Sequence, residues 1–550
     1  MTMRRYVHTL RVLVALLAAC GPTAGTSQAP SSPLSSQHAA NAAPGPSPRA
    51  RAVDPAVPRD HLALFDALVA KIEAHHVFAD VPRAQWPANK ARLREEFGRV
   101  ETRAQALVAL FHLQSALGDR HCYLSPPTDL RRQWLSLGVE LHGELVAGRT
   151  VVRVDRVLTR DRAVDLAEGD EVVAIDGAPV AAWLAAHPFE SNSLNPDVAR
   201  AETVDAIASA TLPWSTVKEG DRRTLRVQRG GDARDVTLEF MQSYRWDDID
   251  ELADLDFDDA PPMASVPCRR DRRPLYEDFA LTTVGTNLCI YRPTRGRRDT
   301  RLVRFLSFHY AGHEASDALR AAKADHDLLV RELRGARAVL LDVHENRGGQ
   351  NPFVFLSWFA RRPWDHQQIH IRVSSDFSED DAREFLYGDA ALVERYRDAA
   401  ARGKREESWP FLCAKDGAPV MTGTCESQGP RPSERVTEAP VAIITGPDCT
   451  SSCDSLVADW STFGMGPLVG RQPAHGFTTV RHEDPLIGPD GRDLGTFRVA
   501  LSWETYPRSD KPLEGAPLQL DWEAPSSFAA RHSWVDLAVK EARRRVEAPR

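Results

Sequence analysis

The chain has 550 residues, 42% of them hydrophobic and 27% charged, enough for several domains with cores of their own. Its net charge of -8 arises from 77 acidic and 69 basic residues without a basic stripe, which excludes nucleic acid as the partner. Eight cysteines behind an N-terminal basic-then-apolar pattern point to an oxidising compartment.

Residues 1–20 read as an export signal. Arg4, Arg5 and Arg11 precede an apolar run over 12–19 that is far too short to span a bilayer. The ending Leu17-Ala18-Ala19-Cys20 resembles the bacterial lipoprotein box, which makes Cys20 a lipidated mature N-terminus and the membrane a partner through that anchor; an ordinary secretory signal is the alternative. Residues 21–57, rich in Pro, Ser, Ala and Gly, bury too little apolar surface to fold and serve as a tether at the cell envelope.

Residues 58–130 predict a helical domain, with apolar positions at helical spacing in Leu64, Leu68, Val69, Ile72 and again in Leu107, Leu110, Leu113, Leu117. It closes on Asp119-Arg120-His121-Cys122, before Pro126 and Pro127 forbid further helix. Over 135–240, strands are expected at 138–141, 151–154 and 171–175, then an Asp176-Gly177 turn, a helix from Ala181, and strands at 225–227 and 236–238. This order resembles a PDZ domain, a β-rich module that takes an extended peptide as an added strand. Residues 241–274 form an acidic linker, with seven aspartates and one glutamate over 247–259 but no calcium-loop spacing. From 275 to 545, strands at 303–306, 338–343 and 441–445 alternate with helices at 316–333, 352–360 and from 454, which predicts a mostly parallel sheet with crossover helices, interrupted by a polar insertion over 375–435. The fold class is multidomain α/β.

Beyond Cys20, proximity suggests pairing Cys268 with Cys289, Cys413 with Cys425 and Cys449 with Cys453, other connectivities remaining open; Cys122 is the odd one. No Cys-x-x-Cys pair or His-Glu-x-x-His run occurs, so no metal or cofactor is expected.

The apolar run 441–444 leads into Cys449-Thr450-Ser451-Ser452-Cys453-Asp454 and then a helical pattern. A serine at such an elbow is exposed at the carboxyl edge of the sheet, beside helix N-terminal amides that receive developing negative charge; simple N-capping is the competing reading. Taken in order, the Asp-x-His end of the helical domain, the PDZ-like segment, Asn346-Arg347-Gly348-Gly349 after a buried strand, the serine elbow and Leu513-Glu514-Gly515 before Asp521 resemble the C-terminal-processing and tricorn-core family of serine peptidases, over about residues 60–540.

That resemblance implies a ClpP/crotonase-like catalytic domain with Ser451 as nucleophile, Ser452 and Ser455 being near alternatives. The family's Ser-Lys branch needs a lysine in the segment 469–477, and none is there. The tricorn-like branch instead implies His121 as the base and Glu514 as the group that orients it. His475, nearer to Ser451 in sequence, is the rival base, and Arg120 stands where that branch often has a serine. The oxyanion donors implied are the amides of Gly349, with Gly348 as the neighbouring candidate, and of Ser452. Cys449 and Cys453 replace the family's usual Ala and Ser; bonded they would stiffen the elbow, and reduced either could act as nucleophile, as could Cys122 beside His121. The function expected is a lipid-anchored envelope serine endopeptidase that cuts proteins or peptides through an acyl-enzyme. The alternatives are an inactive binding or scaffold protein of the same architecture and a hydrolase of small esters.

Overall fold

The computed structural model describes residues 58–76, 85–130, 133–158, 165–243, 268, 276–296, 298–310, 315–349, 352–361, 368–373, 390–404, 406–410, 413–415, 418–420, 435–476, 481–506 and 512–547. The export signal 1–20 with Cys20, the tether 21–57, Cys425, and the acidic linker apart from 241–243 and Cys268 lie outside these residues.

Three helices open the described chain. Helix α1 (His61–His75) begins where Asp60 Oδ1 accepts the Ala63 N–H at 2.7 Å. Helix α2 (Trp86–Phe97) carries a proline in its first turn, and α3 (Arg103–Leu117) has a reciprocal cap between Thr102 and Gln105. Gly118 ends α3 in the left-handed region at φ 59°. The apolar faces of these helices close on Leu486, Leu494, Phe497 and Val499 from far along the chain. The link is β1 (Tyr123–Ser125), which pairs antiparallel with the strand Asp493–Ala500.

The next strands are β2 (Gln133–Ser136), β3 (Val139–Val146), β4 (Arg149–Val157), β5 (Glu171–Ile175), β6 (Ala178–Pro179), β7 (Ser209–Leu212), β8 (Arg222–Arg229), β9 (Asp232–Glu239) and β10 (Met241–Ser243). They form two antiparallel sheets, β3-β4-β5-β8-β9 with β6 on β5, and β10-β2-β7. Helix α4 (Val180–Ala186) lies where the sequence predicts one, and a second helix, α5 (Pro196–Ala208), was not anticipated. Asn195 starts α5 by accepting the amides of Asp197 and Val198, with Pro196 in the first turn.

The rest of the chain carries β11 (Phe279–Val284), β12 (Leu288–Pro293), β13 (Thr300–Phe305), α6 (Ala315–Glu332), β14 (Ala338–Asp342), α7 (Pro352–Phe359), β15 (Gln368–Arg372), α8 (Ala390–Ala401), β16 (Glu406–Pro410), β17 (Cys413–Lys415), β18 (Ala418–Val420), β19 (Val441–Thr445), α9 (Ser452–Thr462), β20 (Leu468–Gly470), β21 (Arg481–Ile487), β22 (Asp493–Ala500), β23 (Ser502–Thr505), β24 (Trp522–Glu523) and α10 (Trp534–Glu547). A seven-stranded sheet runs β11-β12-β13-β14-β19-β20-β24. Every pairing from β13 to β24 is parallel, and β11 and β12 add an antiparallel edge.

The central strands read as unbroken apolar runs because both faces of this sheet are covered. Val303, Leu341, Ile443 and Leu468 point to one side, into a core with Phe355 and Leu356 of α7 and Leu456 and Trp460 of α9. Leu302, Leu340, Ala442, Ile444 and Val469 point to the other, against Trp534, Val535, Ala538 and Val539 of α10. Each fully buried large apolar side chain contributes roughly 1.5–3 kcal/mol. The polar insertion over 375–435 carries α8 and β16 to β18, and β16 extends a small antiparallel sheet through β15 to β23.

Contacts of Arg531 and of Asn195 are among those that fasten the β-rich segment to the seven-stranded unit. Arg531, whose side chain is 8% exposed, pairs with both Asp155 and Glu168, and its guanidinium lies 3.5 Å from the Phe528 ring centroid. Asn195 Nδ2 donates to the carbonyls of Pro473 at 2.6 Å and Gln472 at 3.3 Å.

Candidate active site

Strand β19 is buried along its whole length and delivers the chain to the carboxyl edge of the sheet. The turn that follows places Ser451 at φ 59°, ψ -125°, directly before α9. For a non-glycine residue this conformation costs about 1–3 kcal/mol, and it persists because the surroundings hold it. Ser451 occupies the N-cap position yet makes no capping bond with its side chain, so the hydroxyl is not engaged as a cap. The elbow is tied down on all sides. The Thr450 amide donates to Asn346 O at 3.2 Å, the Ala474 amide to Cys449 O at 2.9 Å, and a disulfide joins Cys449 to Cys453 with both residues fully buried.

The neighbouring serines are committed. Ser452 Oγ donates to Gly349 O at 3.1 Å, and Ser455, 4% exposed, donates to Glu504 Oε2 at 3.2 Å.

Asn346-Arg347-Gly348-Gly349 leaves the adjacent strand β14 and packs on this elbow. A Cβ on Gly348 would lie 2.6 Å from Thr450 O, 2.8 Å from Ser451 Cβ and 2.9 Å from Ser452 N, so only glycine admits the approach. The Gly348 N–H is bonded to Asn346 Oδ1 at 2.8 Å, which takes it out of the set of oxyanion donors named from the sequence. Among the described residues, the Gly349 amide and the Ser452 amide, the latter opening α9, have no such partner.

The loop is held from below by charge. Asp342 Oδ1 lies 2.7 Å from His344 Nδ1, Tyr276 donates to Asp342 Oδ2, and Glu345 pairs with Arg304 and, at 3.3 Å, with His344 Nε2. Burial opposes a charge on His344, but Asp342 and Glu345 outweigh it and raise its pKa to about 10.

His121 follows α3 in a turn whose geometry Asp119 sets: Asp119 Oδ1 accepts the His121 N–H at 2.8 Å, and the Cys122 N–H donates to Asp119 O at 3.2 Å. The imidazole is buried, and its Cε1 lies 3.5 Å from the point where a Cβ on Gly476 would stand; Thr450 Oγ1 is 3.3 Å from the same point. The structure thus brings His121 to the elbow across 330 residues of sequence. Arg120, beside it, pairs with Glu202 of α5 at 2.9 Å.

Glu514 is half-buried. The Leu513 amide donates to Glu504 O at 2.9 Å and the Gly515 amide to His475 O at 3.3 Å, so the Glu514 segment runs between β23 and the His475 loop.

His475 is in the same neighbourhood but differently employed. It is 3% exposed at φ 60°, its Nε2 lies 3.2 Å from Gln472 Oε1, and its backbone N–H and that of Gly476 both donate to Asp454 at 3.0 Å. Burial lowers its pKa to about 4, which makes it a weak proton acceptor.

Two buried carboxyl groups were not singled out from the sequence. Asp454 is pushed up to about 8 by burial, and Glu504 is raised well above the usual carboxylate range by burial with Asp459 and Asp454 nearby. Asp454 stands inside the elbow motif, so its position was visible while its burial was not. The disulfide Cys268–Cys289 is present, Cys122 is a buried thiol outside any disulfide, and the pairing of Cys413 with Cys425 falls outside the described residues.

No family model matches the chain, and no curated protein matches it. Among solved structures it is similar to mature CPAF, at 13% identity and a TM-score of 0.63 over 88% of this chain and 95% of that one. Mature CPAF complexed with lactacystin aligns at 14% identity and a TM-score of 0.64, over 88% and 97%. Lower-scoring matches include the photosystem II D1 C-terminal processing protease, at 12% identity and a TM-score of 0.35 over 86% and 96%. At these identities the likeness to CPAF establishes the fold alone: the chain shares the architecture of mature CPAF over 88% of its length.

Proposed function

We propose that this chain is a serine endopeptidase in which Ser451 is the nucleophile, His121 the base and Glu514 the group that orients the imidazole. The observation that carries the reading is the elbow itself, a serine held at positive φ before a helix, its hydroxyl free of the cap, against a glycine that admits no side chain. Ser451 Oγ attacks the scissile carbonyl carbon as its proton passes to His121. The resulting oxyanion is met by the amides of Gly349 and Ser452. Collapse releases the amine with the proton from His121, and water repeats the sequence on the acyl-enzyme. Gly348 shapes the site without donating, since its amide is bonded to Asn346.

Residues 135–240 we read as a PDZ-like module that presents extended chain to the site, consistent with the contacts of Asn195 and Arg120–Glu202 beside it. Cys20 we read as the lipid anchor at the cell envelope; among the described residues no helix is long and apolar enough to cross a membrane.

The test is labelling by a fluorophosphonate, followed by intact mass, with casein hydrolysis in parallel. Wild type should gain one adduct on Ser451, and Ser451→Ala should gain none while melting as wild type does. An adduct that persists in Ser451→Ala and vanishes on changing a cysteine would refute the assignment. A folded wild type that neither labels nor cleaves would favour the scaffold reading, to which the departure at Arg120 lends weight. Labelling with ester but no peptide turnover would favour the esterase.

A further inference from the structure

We infer that His76, Asp119 and Cys122 form a binding site for a thiophilic divalent cation of the zinc class, in the turn that carries His121. His76 caps the end of α1, while Asp119 and Cys122 belong to the turn after α3. All three are buried, and one ligand atom from each lies within 4.8 Å of the other two. Zinc bonds of 2.0–2.3 Å in a tetrahedral arrangement set neighbouring ligand atoms about 3.3–3.8 Å apart. His76 Nε2 and Asp119 Oδ2 already stand at 3.2 Å, and the widest edge closes with a movement of about 1 Å, within reach of a side-chain rotation.

The donor set decides the kind of ion. Imidazole nitrogen, carboxylate oxygen and thiolate sulfur suit zinc or cobalt, and the sulfur disfavours magnesium and calcium. One thiolate and one carboxylate cancel a double positive charge, so the loaded site is neutral, the condition under which ions are tolerated in a core. On binding, the Cys122 thiol releases its proton to solvent as the sulfur–metal bond forms, with no change of oxidation state.

A second observation prepares the sulfur for this role: the Ala500 N–H donates to Cys122 Sγ at 3.3 Å, the outer hydrogen bond that steadies a metal thiolate. Asp119 can serve the ion without abandoning the turn. Its Oδ1 holds the His121 N–H at 2.8 Å, and it is Oδ2 that faces His76. The ion would therefore staple the end of α1 to the turn that presents His121. The remaining coordination position is left to water.

The experiment uses the full chain without a histidine tag, titrated with cobalt(II) in the native state and, because the three side chains are buried, also refolded in its presence. The expected result is one equivalent bound with thiolate-to-cobalt charge-transfer absorption, displaced by zinc but not by magnesium. Zinc should also raise the melting temperature in proportion to the logarithm of its concentration above Kd. Cys122→Ser should abolish the absorption, and His76→Gln should weaken binding by at least about a hundredfold, more than the loss of an outer partner costs. If Cys122→Ser fails to fold, His76→Gln alone carries the comparison. Wild type without the charge-transfer band in either preparation, or a band undiminished in both variants, would overturn the site. None of these readouts depends on Ser451, so failure here leaves the peptidase reading standing, and the reverse also holds.

Discussion

Replacing Gly348 by alanine separates the geometry of the elbow from ordinary backbone strain. At φ 84° the substitution carries the left-handed penalty of about 1–2 kcal/mol wherever it occurs. Here the new methyl would also sit 2.6–2.9 Å from Thr450 O, Ser451 Cβ and Ser452 N. Two of these three atoms are backbone and cannot swing aside, so the elbow or the glycine loop must retreat by about 0.5–1 Å to restore ordinary contact. The Ser452 and Gly349 amides lie on opposite sides of that contact, and the retreat pulls them apart. Losing one oxyanion donor costs about 2.7–4 kcal/mol of transition-state stabilisation, a hundredfold to a thousandfold in rate.

Gly491 is the control. It sits at φ 75° in the turn between β21 and β22 with nothing within 4 Å of a Cβ, so its alanine variant has the strain without the clash. Second-order rate constants for fluorophosphonate labelling, measured beside thermal melts, should show G348A slowed at least about a hundredfold and G491A at the wild-type rate. Both should lose stability, G348A more. A G348A protein that labels within about twofold of wild type would mean that the packing of Gly348 against the elbow has no bearing on the reacting geometry.

Removing the elbow disulfide by Cys449→Ala with Cys453→Ala, a bridge spanning a sequence separation of 4, should cost about 2 kcal/mol in the denaturation free energy by the chain-entropy argument and slow labelling roughly tenfold or more; unchanged labelling would show that the bridge only stabilises. Glu504→Gln should change how stability depends on pH. Burial raises the Glu504 pKa above its unfolded value, so its contribution is complete below the unfolded pKa and is lost as pH rises toward the folded one, at about 1.4 kcal/mol per pH unit at most. The amide is neutral throughout, so urea denaturation curves of the two proteins should differ least near pH 4 and diverge in favour of the variant by pH 8; a constant difference would refute the shift. Arg531→Ala should cost about 2 kcal/mol, the cost of breaking a buried pair discounted for the exposure of Glu168, and should raise hydrogen exchange in β3 and β4 ahead of the central sheet; uniform exchange would show that the pair does not fasten the two units.

What could be read in the sequence follows from what local chemistry encodes. The strands around Leu340 and Ile443 are legible because a strand covered on both faces must be apolar at every position. The first and third of the opening helices are legible because their apolar positions recur at helical spacing within a few residues of one another. Helix α5 was missed because its start depends on one Asn-Pro pair in a stretch that is otherwise weakly patterned. The pairing of β1 with β22 joins residues some 370 positions apart, and neither partner carries a mark of it.

The same division runs through the site. The elbow, the double glycine and the Asp119 turn each show themselves as a local motif. That the Gly348 amide is already bonded, that His475 is neutral and walled in, and that Asp454 and Glu504 lie in the interior are properties of surroundings assembled from distant segments. Sequence names candidates, and only packing decides which of them have a free atom to offer.

Helix α10 packs against β14, β19, β20 and β24 on one face of the central sheet, and its Trp534 meets the His344 ring edge-on at 5.3 Å. Without residues 534–542, Leu340, Ile444 and Val469 would lie bare to water. The platform under the elbow therefore needs α10, and a fragment truncated before it would carry every group proposed for hydrolysis on a sheet that has lost this cover.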